Sequence, residues 1–452
     1  MAHFRGEGGP SVGNVDRGAA ALLETTPVQG EADRGTRSEA SATRERIKVQ
    51  TVLEVIETPR GTIRKITFKE SREAIEVGSF EEAIEKAGAE IDARVEVRFG
   101  KDGKVPMHKH SPDHSTEEVE GGATRMLEVV NKALVEAYGS VDRARKDPAY
   151  SSPEQIGLTR LMAKVHDSVQ NHILIKDPNG HQIMQRYRGA EGLDPSEQSG
   201  DPKAGNRAPT LVQEMADHKL GGNEKDSADE LVEHLKRYRY PDGSTVFTKE
   251  QLAAVRPNVA ATYPNFRFSP DTGLKVYQPY LDRSINPELT IAGVAIAHAD
   301  LRVLLAQDSS KGFENGGDAE LRESKPWIGA LVKNDLMKAD PKEIRQAVKE
   351  ALSWLDDQIG FAKWQKVLVT ESIDTDAAIH KSLFAENIQR SLREFFKLGQ
   401  GDSFDKNIER CKIRAMSIRG TYQDLIDPAV ELNEANRSRA LRLLTEEVRC
   451  VD

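Results

Sequence analysis

Cysteine is scarce in this chain: two in 452 residues, Cys411 and Cys450. Two thiols supply neither a disulfide framework nor a four-cysteine zinc site. Long apolar runs are missing as well. The longest, near residues 291–299, includes His298 and falls short of the roughly 20 residues that a membrane-spanning helix takes. The opening Met-Ala-His-Phe-Arg-Gly-Glu-Gly-Gly-Pro has no apolar core of a Sec signal peptide. Such a chain is expected to be cytoplasmic, or exported by a non-classical route, with no membrane span.

A basic excess is absent too. Net charge is −9 and the sequence pI is near 5.8. Phosphate neutralisation supplies most of the affinity of proteins that coat nucleic acid, so bulk nucleic-acid binding is not expected. The short catalytic signatures are also lacking. There is no GxxxxGK[ST] loop, no GxGxxG after a strand and no HExxH pair. No GxSxG elbow or kinase signature set is found either.

What is present is unevenly distributed. Hydrophobic residues make up 38% and charged residues 30%. Residues 1–44 mix Gly, Ser, Thr, Ala, Glu and Arg without periodicity. They offer too little apolar area to offset chain entropy, and a disordered leader is expected. Its composition suits a plain terminal tail or a bacterial export and chaperone-docking segment. Residues 45–110 read as a small α+β module of ββαββ order. Alternation from Ile47 to Val55 predicts a strand, Thr58-Pro59-Arg60-Gly61 a turn and Thr62–Phe68 the return strand. Ser79-Phe80-Glu81-Glu82 opens a helix that Gly88 is expected to end. Ala93–Phe99 alternates again and predicts a third strand, followed by an Asp102-Gly103 hairpin turn.

Helical periodicity dominates beyond about residue 120. Residues 120–189 read as a helical region. Met126 to Ala137 form a stripe closed by Gly139, and Ser152-Pro153-Glu154-Gln155 is a capping box. Residues 190–229 are rich in Gly, Pro, Asp and Ser and read as a linker or long loop. Residues 230–452 read as a helical domain. Within it, 256–287 is expected to be irregular. Asn286-Pro287 opens a helix that is apolar on most faces, hence buried, and Asp340-Pro341 opens another. Ile379 to Phe396 reads as one amphipathic helix ending at Gly399, and the last helix spans about 433–448. The expected fold class is α+β, predominantly α-helical: a disordered N-terminus, the small module, then a helical body.

Three groups of residues could carry chemistry. His108, His110 and His114 lie within seven residues, with Glu117, Glu118 and Glu120 close behind. After a strand, His108 and His110 would share a face. Imidazole with carboxylate suits a divalent transition metal as cofactor. The His-x-His pair followed by Glu resembles the cupin metal motif, and His-x-His after a strand resembles metal-dependent phosphoesterases. The His-to-Glu spacing departs from the cupin pattern, and no distal ligand motif follows. A solvated loop accounts for the same residues. Gln185-Arg186-Tyr187-Arg188 and Lys236-Arg237-Tyr238-Arg239 interleave cations with aromatics. Arg186, Arg188, Arg237 and Arg239 could hold a phosphate or nucleotide while tyrosine stacks on a base. Tyr187-Arg188-Gly189 resembles the opening of an ADP-ribosyltransferase, but no Ser-Thr-Ser strand or Glu-x-Glu loop follows. A solvated helix end explains both clusters as well.

His166 and His172 fall on one predicted helix, six apart and therefore on different faces. His298 reads as a buried, hydrogen-bonded core histidine. Cys411, between two cations and without a histidine partner, reads as a partly packed helix residue.

The polar leader, the amphipathic helices and the missing signatures favour a non-enzymatic interaction or assembly protein, such as a bacterial secreted effector or regulator, with a protein as partner. The alternatives are a metal-dependent hydrolase or oxygenase using His108–His114, and a transferase using NAD or a nucleotide.

Overall fold

The computed structural model describes residues 21–23, 51–58, 61–68, 73–99, 116–169, 172–176, 182–186, 222–263, 265–269, 273–283, 286–301, 303, 326–375 and 377–448. They form a predominantly helical α+β fold.

One antiparallel sheet collects most of the strands. β1 (Ala21–Leu23) pairs with β2 (Thr51–Thr58), and β2 pairs with β3 (Gly61–Phe68). Thr58 stands opposite Gly61, which leaves Pro59-Arg60 as the expected connection. β4 (Ile75–Glu76) leaves the sheet. β5 (His172–Lys176) returns to pair with β3, and β6 (Gln182–Arg186) lies outside it. β7 (Tyr238–Arg239) runs parallel to β4, and β8 (Asn265–Ser269) forms a hairpin with β9 (Gly273–Tyr277).

Helix α1 (Phe80–Phe99) corrects the second half of the predicted small module. Gly88 does not end it, and Ala93–Phe99 is helix rather than strand. Ile84, Ala87, Ile91, Arg94 and Arg98 are all buried. Their spacings of three and four residues make one helical stripe. Two of its five members are arginines, which interrupt the apolar pattern in the sequence. Val97, which completes the false alternation, is exposed.

The other helices follow their punctuation more closely. α2 (Thr116–Tyr138) ends at Gly139, whose φ of +71° is the left-handed conformation expected at a helix stop. α3 (Val141–Ala144) is a single turn. α4 (Pro153–Val165) has the full Ser152/Gln155 capping box. The chain then departs from expectation. His172 lies on β5, not on a helix, because the short Ile173-Leu174-Ile175 run completes the sheet begun by β2 and β3. α5 (Gly222–Leu235) takes in residues 222–229 of the predicted linker. α6 (Lys249–Ala260) and the β8–β9 hairpin occupy much of the region read as irregular. α7 (Ile291–Asp300) is buried on every face, as expected.

α8 (Pro326–Lys333) precedes the 35-residue α9 (Pro341–Thr375). The single helix expected from Ile379 to Phe396 is broken into α10 (Ala377–His380) and α11 (Ala385–Phe395). Ser382 makes the break: its hydroxyl donates to Asp147 at 2.6 Å and accepts from the Phe384 amide at 3.1 Å. α12 (Ser403–Tyr422) and α13 (Glu434–Arg442) finish the chain, with a π-turn over Leu443–Glu447.

Two cores result. The first gathers side chains from Val77 through Phe404, with α2, α4 and α7 contributing heavily. The second lies among α8, α9, α12, α13 and the terminal turn. α9 serves both: Ile344 to Leu355 enter the second core, and Phe361 to Ile373 the first. Among the described residues, no helix is long and apolar enough to cross a membrane.

Candidate functional site

The motif singled out first in the sequence, His108, His110 and His114, lies outside the described residues, as does Arg188. Arg186 is on β6. Arg237 and Arg239 bracket the buried Tyr238 on β7. Arg237 Nη1 lies 3.6 Å from Glu90, and its Nε donates to the Glu73 carbonyl at 3.3 Å. Arg239 Nη1 donates to the carbonyls of Lys236 and Tyr238 at 2.5 and 2.8 Å.

A buried polar cluster on α1 was not legible as a unit. Arg94 and Arg98 on α1 are 3% and 4% exposed. Arg94 donates to Glu90 at 2.6 Å and sits 3.3 Å from Glu230. Arg98 holds Glu230 through both guanidinium arms and donates to the Ser168 carbonyl at 2.9 Å. Both guanidinium groups stack over the Phe68 ring, at 5.2 and 4.4 Å from its centroid. His234 completes the group, 3.4 Å from both Arg94 and Glu90. Burial lowers the pKa of Arg98, while Glu230 opposes the shift. The cluster joins α1, α5 and the end of β3.

A second buried cluster lies where α4 and α7 both end. His166 closes α4, and Asp300 is the last residue of α7. His166 is 1% exposed; Asp167 and Asp300 are each 8% exposed. The His166 Nδ1 is 2.6 Å from the Ala163 carbonyl oxygen, three residues back. Its Nε2 is 2.9 Å from Asp300 Oδ1 and 3.8 Å from Asp167 Oδ2. One donor atom from each residue falls within 4.8 Å of the other two. Burial opposes charge on the ring, but Asp300 and then Asp167 outweigh it and raise the pKa to about 9. Nε2 thus sits in a strongly negative potential.

His298, two residues before Asp300, has the opposite environment. It is fully buried beside Phe396, with ring centroids 5.7 Å apart. Neither ring nitrogen has a hydrogen-bond partner, and burial pushes its pKa down to about 3. The expectation of a buried histidine holds; that of a hydrogen-bonded one does not. The α7 residues before it, from Ile291 to Ala297, offer no polar side chain. His298→Leu is expected to raise stability by about 1–2 kcal/mol, because it removes a buried polar group that makes no bond. Urea unfolding reads this as a higher midpoint, and an unchanged or lower midpoint would show that the ring is held by a partner.

The third feature is on the surface. α12 packs Phe404, Asn407, Ala415, Ile418 and Tyr422 inward, and Asp402 caps it by accepting from the Asp405 amide. Cys411 is half-buried on the same side, and burial raises its thiol pKa. At about 100° per residue, Ile413 and Met416 fall on the opposite pole. They are 60% and 74% exposed. Binary patterning would place polar residues there. α12 also carries five cations, Lys406, Arg410, Lys412, Arg414 and Arg419, against two acids, Asp405 and Glu409. The sequence signal for this face is two apolar residues on the polar side of an amphipathic helix, visible only once the helix itself is placed.

Compared with known protein families, curated proteins and solved structures, the chain matches none.

Proposed function

We propose that this chain is an interaction or assembly protein that docks an acidic amphipathic helix of a partner protein on the outer face of α12. The observation that carries this reading is the exposure of Ile413 and Met416, one turn apart on the pole farthest from the core. Single exposed apolar residues are ordinary. Two neighbours on the polar pole make a ridge that another helix can cover, and covering them would bury about 1.5–3 kcal/mol of transfer free energy each. Gly420 continues the same stripe with open space above it, which leaves room for close approach.

Charge selects the occupant. α12 has an excess of three positive charges, five cations less two acids, in a chain whose net charge is −9; Arg419 pairs with Asp356, Lys412 with Glu409, and Arg414 donates to the Glu447 carbonyl. Two copies of this helix would repel one another, whereas a helix flanked by glutamates would be attracted. Apolar contact supplies the affinity and charge the orientation, as in helix recognition generally.

The test uses two fluorescent helical peptides that share a leucine stripe, one flanked by glutamate and one by lysine. The glutamate peptide is expected to bind the full chain more tightly than the lysine peptide. Ile413→Glu/Met416→Glu is expected to weaken it at least about tenfold, the loss of roughly 1.4 kcal/mol. Both side chains face water, so the stability of the variant should stay within about 0.5 kcal/mol of the parent. Equal binding of both peptides, or equal binding by parent and variant, would defeat the proposal.

A further inference from the structure

We propose that Met416 is a reversible oxidation site, at which a peroxide converts the thioether to its sulfoxide and so loosens the acidic helix docked on α12. The inference rests on the docking reading above and adds its regulation.

Two sulfurs lie close together in the sequence of α12, on different sides of the helix. Cys411 is half-buried, and burial holds its thiol pKa above the usual range. The thiolate is the reactive form, so this thiol is a poor peroxide target. A thioether has no proton to lose, and its susceptibility follows exposure. Met416 is 74% exposed, whereas Met126 and Met162 are buried and Met337 is half-buried. Of the two sulfurs on α12, Met416 is therefore the one that a peroxide meets.

A lone pair of the Met416 sulfur attacks one oxygen of the peroxide. The O–O bond breaks and an S–O bond forms. The departing hydroxide takes the proton left on the sulfur-bound oxygen and leaves as water. Sulfur gives up two electrons and the peroxide takes them. A thiol-dependent sulfoxide reductase runs the return: two thiols join as a disulfide, and the oxygen leaves as water with their protons.

The product stands where the partner seats. Sulfoxide is polar, in place of an apolar thioether. Covered by a leucine stripe, its oxygen would lose water without gaining a donor, which is costly. Glutamates at the rim of an acidic helix offer it none, because carboxylates only accept. Lys412, one turn back, is engaged by Glu409 at 3.1 Å. Ile413 keeps its exposed apolar surface, so the partner is loosened rather than excluded.

The experiment uses the full chain, hydrogen peroxide and the glutamate-flanked peptide, made without methionine or cysteine. Mass-spectrometric peptide mapping is expected to find oxygen on Met416 before Met126 or Met162, and bound peptide should slow its arrival. The oxidised parent is expected to bind the peptide at least about fivefold more weakly. Sulfoxide reductases with a dithiol should restore binding. Met416→Leu keeps an apolar side chain of similar size and should bind within about twofold of the parent, with or without peroxide. Cys411→Ser should remain as peroxide-sensitive as the parent. No binding by the unoxidised parent would defeat the docking reading and this inference with it. Binding that survives complete oxidation of Met416 would overturn the inference alone. So would a peroxide effect that persists in Met416→Leu or vanishes in Cys411→Ser.

Discussion

Glu230→Ala is expected to destabilise the protein by about 3–5 kcal/mol, the loss typical when one partner of a buried ion pair is removed. Glu230 is the carboxylate that Arg94 and Arg98 share. Both guanidinium groups are nearly inaccessible, so neither can turn to water once it is gone. Glu90 would remain on Arg94, while Arg98 would keep the Ser168 carbonyl, the Phe68 ring and the weaker influence of Asp226. Burial already works against the charge on Arg98, and Glu230 is what opposes it. Urea unfolding should register a large fall in midpoint. The matching control is Arg94→Met/Arg98→Met/Glu230→Leu, which removes both arginines with the carboxylate they share and leaves Glu90 to Arg237. Replacing a buried ion-pair group by packed apolar side chains is often neutral or better, so this variant is expected to recover most of the loss. A loss below about 1 kcal/mol for Glu230→Ala would place the group among weak surface pairs.

That same cluster shows where the sequence stops being readable. Local punctuation was legible: the Ser152 capping box, the Gly139 stop and the all-round apolar character of α7 appear as expected. Each is written within a few neighbouring residues. The failures share a different cause. Ala93–Phe99 looked extended because Arg94 and Arg98 interrupt a helical stripe, and their partner Glu230 lies 132 residues beyond Arg98. The His172–Lys176 strand exists because β3 pairs with it, more than a hundred residues back. His166 was weighed against His172, its neighbour in sequence, whereas its partners are Asp167 beside it and Asp300 far along the chain. His298 was placed correctly inside, but the absence of any partner for its ring depends on packing that no short motif encodes. Burial periodicity survives in a sequence. The identity of long-range polar partners does not.

Among the described glycines, Gly293 is the one where packing leaves least room, and Gly293→Ala is expected to cost about 2–4 kcal/mol. A Cβ built there would lie 2.6 Å from Leu289 Cδ1, 2.7 Å from Asn258 Oδ1 and 3.0 Å from Asn258 Cα. The first contact is the end of a side chain, but Leu289 is itself buried and has little room to turn. The second is worse. Asn258 Oδ1 accepts from the Thr290 amide and hydroxyl, each at 3.0 Å. The same Thr290 hydroxyl caps α7 by accepting from the Ala292 amide. Pushing Asn258 aside therefore loosens the start of the most buried helix. The third contact is α6 backbone, which Asn286 also holds through the Pro257 carbonyl at 2.9 Å. Overpacking of this kind costs about 1–3 kcal/mol, and a weakened buried hydrogen bond adds roughly 1 kcal/mol. Gly420→Ala supplies the contrast. No atom lies within 4 Å of its added Cβ, and the residue is within α12. There the better helix propensity of alanine should raise stability by about 0.5–1 kcal/mol. The two substitutions make the same chemical change, so opposite shifts in the urea midpoint would isolate the close approach of α6 and α7 as the cause. Equal shifts would show that α6 yields readily and that Gly293 is not a packing requirement.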